Sequence, residues 1–364
     1  MHKFLLLYLS LLFSTPNYSQ ITLIDNGDHS PVSFAHLIAE DGRLLGTSDL
    51  NGQIKIDSIN TIQNKHISIQ HLSYENIEIA LDKSAIPDTF FMAKRKYTLP
   101  DVTVHASNKE VLVIKAYYRS YELNNDIPKF FTDGFVEYYI PVSNDKKIKM
   151  KRMEFRSFRN EELLSKEKER TNTIVMRLAG IPRIVHNSVS NSIRENKKIT
   201  LRETSGNETK IIKNDCIVGT IVSDTLNSVL RLSMDFIAPK KSEEKSLFRY
   251  TSRITTNEVS EIYTNMHLQA ISLDDLIRRN NYRKIFFKHK KDADFVKLEA
   301  INELHVLQKH YITNEEFKAI ESDSHALPES SSYSEKHWSK LSEYGIPEIN
   351  ENTAGLIGKV LTAY

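Results

Sequence analysis

Short runs of alternating apolar residues, broken by turn residues about every eight to twelve positions, occupy the chain from Ile21 to about Ala106. A strand points successive side chains to opposite faces, so this alternation marks strands buried on one face. "ITLID" runs into the turn "NGDHSP", "VSFAHLIAEDG" closes at Asp41-Gly42, and "QIKIDS" sets Ile54 and Ile56 on one face. "HISIQHLSYENIEIAL" supplies two more strands, with Ile67, Ile69 and His71 sharing a face, before "DTFFMAKR" and "PDVTVHA". The spacing predicts an all-β sandwich.

Within this region "GTSDLNGQIKI" holds Asp49, Asn51 and Gly52, the residue types that open a calcium loop. A hand-type loop needs its glycine at the sixth position and a bidentate glutamate at the twelfth. Here the glycine comes two places early and Asn60 stands in the twelfth position. The stretch therefore predicts a hairpin corner from Leu50 to Gly52, with positive backbone angles at Asn51 and Gly52.

Taken in order, these residues resemble the carboxypeptidase-like regulatory domain of exported proteins in Bacteroidetes-type bacteria. Gly46, Thr47, Asp49, Gly52 and Ile54 match its turn, Ser73-Tyr74 its aromatic strand, and Leu99, Asp101, Val102 and Val104 its closing strand. Ser48 replaces the usual threonine and Ser73 the usual glycine. The resemblance implies a transthyretin-like sandwich over residues 20–106. It implies no catalysis, because the family is named for an accessory domain of carboxypeptidases and not for the catalytic one.

The chain opens "MHKFLLLYLSLLFSTPNYSQ", with His2 and Lys3 ahead of an apolar run from Phe4 to Phe13 and a break at Pro16. This is the pattern of a secretory signal over residues 1–19, with cleavage near Ser19 or Gln20. A transmembrane helix needs roughly 20 apolar residues, and no run here reaches that length, so no integral transmembrane helix is expected in the mature chain. Cys216 is the only cysteine, so stability rests on the core and not on intrachain disulfides. The 49 basic and 47 acidic residues nearly cancel, and basic runs such as "KIFFKHKK" alternate with apolar residues. No nucleic-acid partner is expected, since phosphate binding concentrates Lys and Arg on one face.

After Ala106 the pattern changes. "NKEVLVIKAYYRSYELNND" places Val111, Ile114, Tyr118 and Tyr121 at helical spacing and predicts a helix. "GFVEYYIPV" and "KIKMKRMEFRSF" predict a strand pair, followed by strands in "KITLRET", "TKIIK", "CIVGTIVS", "LFRYTSRIT", "EVSEIYTN" and "RKIFFKH". "DFVKLEAINELHVLQKHYIT" is one long strand or a hairpin. Helices are expected at "NEELLSKEKER", "DTLNSVLRLSMDFI", "SLDDLIRRNN", "TNEEFKAIES", "SEKHWSKLSEYG" and "NENTAGLIGKVLTAY". Thr313 with Glu316 has capping-box spacing, as does Ser272 with Asp275. Residues 107–364 thus read as an α+β domain with a mostly antiparallel sheet. "YYRSYELNNDIPKFFTDGFVEYYIP" with "EFRSFRNEE" resembles the uncharacterised region that follows the sandwich module in the same bacteria, which implies co-occurrence and export.

Catalytic motifs are absent from the sequence. No H-E-x-x-H or H-x-x-E pair, G-x-S-x-G elbow or phosphate-binding glycine loop occurs. In "NELHVLQKH", strand spacing puts Glu303 and His305 on one face and His310 on the other, so these read as solvent-facing polar residues and not as metal ligands. Cys216 in "DCIVGTIV" reads as a buried small hydrophobe. In "HALPESSSYSEKHW", Ser334 is expected to cap a helix that Trp338 anchors on the sheet; the alternative is a ligand-binding loop of Tyr333, His337 and Trp338.

The expectation is an exported, non-catalytic envelope binding or scaffold protein with no cofactor or metal, placed in the periplasm or on the periplasmic face of the outer membrane with an envelope protein partner. The alternatives are a hydrolase of envelope peptide or glycan with its site in the second domain, and a lipid or lipoprotein carrier. A pocket with convergent acids and histidines marks the hydrolase, and an apolar cavity under a curved sheet marks the carrier.

Overall fold

The computed structural model describes residues 19–56, 66–80, 87–96, 101–103, 109–143, 147–171, 177–184, 189–204, 207–240, 244–247 and 249–364. The expected signal lies outside them except for Ser19, as does the expected domain boundary at Ala106. The alternating N-terminal runs form β1 (Ser19–Asp25), β2 (His36–Ala39), β3 (Leu44–Thr47), β4 (Gln53–Ile56), β5 (His66–His71), β6 (Tyr74–Ala80) and β7 (Thr89–Met92). β4, β1 and β7 make one sheet, and β3, β2, β5 and β6 a second. Ile21, Leu23, Ile54 and Met92 of the first pack against Leu37, Ile67, Ile69 and Tyr74 of the second in a single buried cluster.

The corner before β4 is tied by Asp49, whose Oδ1 accepts from the N–H groups of Asn51 and Gln53, both at 2.9 Å. Gly52 has φ +74°, and a Cβ there would strike the carbonyl oxygen of Leu23. Positive angles were expected at both Asn51 and Gly52; Gly52 alone has one, because the Asp49 side chain closes the turn around Asn51.

The rest of the chain builds one 13-stranded sheet. Its strands are β8 (Asp101–Thr103), β9 (Val111–Asn124), β10 (Ile127–Pro141), β11 (Lys149–Arg159), β12 (Ile199–Glu203), β13 (Glu208–Lys213), β14 (Cys216–Asp224), β15 (Val229–Asp235), β16 (Lys245–Leu247), β17 (Tyr250–Tyr263), β18 (Leu276–His289), β19 (Val296–Ile312) and β20 (Thr362–Ala363). The order is β12-β13-β14-β15-β17-β18-β19-β9-β10-β11-β20, with β16 beside β17 and β8 beside β19. Every pairing in it is antiparallel except β8 with β19. The helices are short: α1 (Glu161–Thr171), α2 (Val189–Glu195), α3 (Asn314–Ala319) and α4 (Glu351–Leu356). The chain is mostly β, and no described helix is long and apolar enough to cross a membrane.

Several expected helices are strands. Val111–Asn124 is the central strand β9, hydrogen-bonded to β10 and β19. Both of its faces are buried, so it shows no alternation, and its β-branched and aromatic residues match a helical spacing by coincidence. "DTLNSVLRLSMDFI" is a turn followed by β15, whose Leu230, Leu232 and Met234 alternate into the core. "SLDDLIRRNN" keeps its Ser272–Asp275 capping box over a single 3-10 turn and then becomes β18. The C-terminal stretch forms two 3-10 turns, His337–Ser339 and Leu341–Tyr344, then α4 and β20. α1 lies where expected, and α3 carries the full Thr313–Glu316 capping box. Cys216 is exposed, not buried, because it follows the tight Asn214-Asp215 turn, both with positive φ, at the tip of the β13–β14 hairpin.

The four-stranded sheet of the sandwich lies on one face of the large sheet. Ile38 and Leu44 pack with Tyr121, Leu123, Tyr282 and Ile301, and Leu72 packs with Val229, Ile262 and Ile277. Polar groups cross the same seam: Gln70 Nε2 donates to Glu303 Oε1 at 2.7 Å and Tyr121 Oη to the Gly42 carbonyl at 2.9 Å, while Arg119 Nη1, opposite Glu303 within the large sheet, lies 3.2 Å from Glu303 Oε2. Glu303 and His305, expected to face solvent, are therefore buried, because sequence spacing gives no sign of the layer that covers them. A bulge between Val306 and Gln308 also resets the alternation, so His310, opposite Val113, shares the face of His305, opposite Tyr117. Among the described residues no three His, Cys, Asp or Glu groups come together as metal ligands.

Candidate anion-binding cleft

On the opposite face of the large sheet, apolar packing gives way to polar side chains at the centre of β17, β18 and β19. Arg279, Asn281 and Arg283 occupy alternate positions of β18 and so project from one face. Asn302 of β19 stands opposite Asn281. Arg279 Nη1 lies 3.0 Å from Oε1 of the buried Glu261. Glu261 Oε2 accepts from the Val189 N–H at 2.9 Å and from Tyr263 Oη at 2.6 Å, so one carboxylate neutralises Arg279 and fixes the start of α2. α2 is too short to persist alone; Val189 and Ile193 secure it in the main core. Asn281 Nδ2 donates to Asn257 Oδ1 and to the Glu258 carbonyl, each at 3.0 Å, and Asn302 Oδ1 accepts from Ser120 Oγ at 2.5 Å.

A roof crosses this floor, made of residues 177–184 and 324–327. Glu122, fully buried on β9, accepts the N–H groups of Leu178 at 2.5 Å and Ala179 at 2.7 Å. Ser120 Oγ accepts the Gly180 N–H at 3.1 Å, and Tyr138 Oη donates to the Pro182 carbonyl at 2.6 Å. Gly180 bridges Ala326, and a Cβ on Gly180 would sit 2.6 Å from the His325 carbonyl oxygen, so the two roof segments approach only through glycine. Burial raises the pKa of Glu122, opposed by Lys129 at 3.6 Å and by the two backbone donors.

Between floor and roof lies a cavity of about 620 Å³. Arg177, Arg183, Arg279 and Arg283 line it, with Asn281, Asn302 and His325, and among the described residues no Asp or Glu does. The Arg283 guanidinium is shifted below its usual range by burial first and then by the like charge of Arg183. His325 is lowered by burial too, with Arg183 acting in the same direction. His325 Nδ1 lies 3.2 Å from the Ile181 carbonyl, which can only accept, so Nδ1 carries the proton and Nε2 remains an acceptor. The sequence flanking the roof, 172–176 and 185–188, contains no acid. Glu261 offsets Arg279, whereas Arg183 and Arg283 have no carboxylate within ion-pair distance among the described residues. Arginines held together without acids form a receptor for an anion, because the guanidinium fork matches carboxylate and phosphate oxygens.

A second cavity, about 570 Å³, lies at the seam between the sandwich and β13 to β17. It carries both signs of charge, with Asp28 and Glu208 against Arg231, so it lacks the one-sided field of the arginine cleft.

Tyr333, His337 and Trp338 come together but line neither cavity. Trp338 lies 4.9 Å from Tyr333 and 5.1 Å from His337 between ring centroids, and 3.9 Å from the Arg156 guanidinium. Arg156 in turn holds the fully buried Asp133 through Nε at 2.8 Å and Nη2 at 2.5 Å, and Tyr117 Oη donates to Asp133 at 2.8 Å. This arrangement anchors the C-terminal tail on the sheet. Trp338 has the expected anchoring position, but Ser334 caps no helix: its N–H and Oγ both bond the Glu154 carboxylate, and the 3-10 turn at His337 has no side-chain cap. His337 is buried beside this ion pair, 3.9 Å from both Asp133 and Glu154.

The arginine cleft was missed in the sequence although a signal was there. "RRNNYRK" sets Arg279, Asn281 and Arg283 at strand spacing, but the helix expected over "SLDDLIRRNN" took in Arg279 and Asn281 and separated them from Arg283, which lay in the expected strand "RKIFFKH". No protein-family model and no curated protein matches the chain.

Proposed function

We propose that the protein is an exported, non-catalytic binding protein of the cell envelope, with an N-terminal module of the carboxypeptidase-like regulatory, transthyretin-like type and an anion receptor on its large sheet. One observation carries the reading: the cleft lined by four arginines and, among the described residues, by no carboxylate. The signal-like N-terminus and the turn residues Gly46, Thr47, Asp49 and Gly52 support export and the family relation. We place the protein in the periplasm or on the periplasmic face of the outer membrane, where an envelope protein is its partner. The cleft supplies cations and amides but no acid–base pair of carboxylates, which favours binding over hydrolysis. The face that a lipid carrier would leave hollow is filled by Ile181, Ile184, Val189 and Ile193.

Titration calorimetry with inorganic phosphate at low ionic strength tests the binding reading. Wild type is expected to show saturable binding that weakens with added salt, and Arg283→Gln to weaken it at least about tenfold. Equal binding by wild type and R283Q, with matching circular dichroism, would refute it. Fractionation of cells of the source organism tests the location, and recovery with the cytoplasmic fraction would overturn export.

A further inference from the structure

We infer that the anion recognised by the cleft is carried on a sugar, so that the ligand is a phosphorylated or carboxylated saccharide and not a free ion. This rests on the anion-receptor reading and adds the body of the ligand to it. A cavity of about 620 Å³ is far larger than an inorganic anion and lies in the range of sites that enclose small organic molecules.

The polar groups are also divided in space. Arg279 and Arg283 stand four residues apart on one strand face, roughly 13 Å at the rise of a β-strand, with Asn281 midway between them. Glu261 already satisfies Arg279, so the positive charge without a carboxylate lies towards Arg283, which shares the cavity lining with Arg183. The middle of the floor is neutral. There Asn281 uses its Nδ2 on Asn257 and on the Glu258 carbonyl, leaving Oδ1 as an acceptor. Asn302 uses its Oδ1 on Ser120, leaving Nδ2 as a donor. The two residues are cross-strand partners, so an acceptor and a donor lie side by side, and His325 Nε2 adds an acceptor from the roof. Adjacent hydroxyl groups, each able to give and take a hydrogen bond, complement such a pair. Leu178 and Pro182 supply an apolar wall for the C–H face of a ring.

A bare anion would leave the amides unused. An acidic peptide cannot dock here by adding a strand, because the floor is a sheet face with β17 and β19 already paired to β18.

The test is calorimetry on the full mature chain with four probes: inorganic phosphate, glucose, glucose 6-phosphate and glucuronate. Glucose 6-phosphate or glucuronate is expected to bind at least about tenfold tighter than inorganic phosphate, with glucose alone silent, and the tighter of the two identifies the anion. Asn281→Ala is expected to bring the sugar anion down to the affinity of inorganic phosphate while leaving phosphate itself unchanged. If all three anions bind equally, the sugar inference is overturned and the anion receptor stands. If none binds, inorganic phosphate included, the receptor reading fails and the inference with it. Should N281A not fold, the probe series on wild type decides alone.

Discussion

Asp133→Asn removes the charge that holds the C-terminal tail. In the wild type the buried carboxylate takes two guanidinium hydrogen bonds from Arg156, at 2.8 and 2.5 Å, and one from Tyr117 at 2.8 Å. Asparagine with its carbonyl oxygen at the Oδ2 position still accepts from Arg156 Nη2 and Tyr117 Oη, while the charge-assisted bond from Arg156 Nε, worth about 1.5–3 kcal/mol, is lost. Arg156 is only 7% exposed, and leaving its charge without a counter-ion brings the expected loss to about 3–5 kcal/mol. Trp338 is the only tryptophan and lies 3.9 Å from that guanidinium, so its fluorescence reports this site while far-UV circular dichroism reports the whole sheet. Urea unfolding followed by both signals should show a lower midpoint for D133N and a red-shifted native emission. The double variant Asp133→Asn, Arg156→Met removes both charges and should recover at least about 1 kcal/mol relative to D133N, because no buried ion is left unpaired. A loss below about 1 kcal/mol in D133N, or strict additivity in the double variant, would refute the account of the tail as held by this ion pair.

Other consequences follow from the same structure. Burial depresses His36 and His305 to about 4, while Glu303 is held down at about 2 by His305 and Arg119 against the cost of its burial. Each depressed group favours the fold above its unfolded pKa, so stability should fall as pH drops from about 6.5 through 4 as the histidines are forced to charge, and further from about 4.5 towards 2 as Glu303 protonates. Urea midpoints against pH should show this slope, and His305→Gln should flatten its upper part; an unchanged slope counts against the buried histidines. Gly52→Ala adds a Cβ at φ +74° against the Leu23 carbonyl and should cost more than about 1 kcal/mol, read as a lower melting temperature; a neutral result would mean the corner relaxes freely. Cys216 is exposed, so a thiol reagent should titrate one thiol per native chain without denaturant, and reaction only after unfolding would place it inside.

The sandwich was legible because apolar and polar residues alternate along its strands, even in β5, where Ser68 and Gln70 are buried as well. The apolar residues at Ile21 and Leu23, or at Ile67 and Ile69, therefore carry the strand period in the sequence itself. Local devices were legible for the same reason: the Thr313–Glu316 capping box and the Asp49 turn depend on neighbours within a few positions. β9 was not, because a strand covered on both sides loses its alternation, and Val111, Ile114, Tyr118 and Tyr121 then fit a helix equally well. Misreading the start of β18 in the same way hid the arginine row.

The sequence by itself determined local turns such as the corner at Asp49–Gly52, which N-terminal residues face a core, and that motifs for familiar catalysis are missing, since these depend on residue type and short spacing. Tertiary structure decided the burial of Glu303 and His305, the exposure of Cys216, and the meeting of Arg183 with Arg279 and Arg283. Those outcomes depend on which layer covers which face. Segments about a hundred residues apart in sequence are brought together by the packing of the sheets, and the free energy of a charge is set by where it ends up and not by its neighbours in the chain.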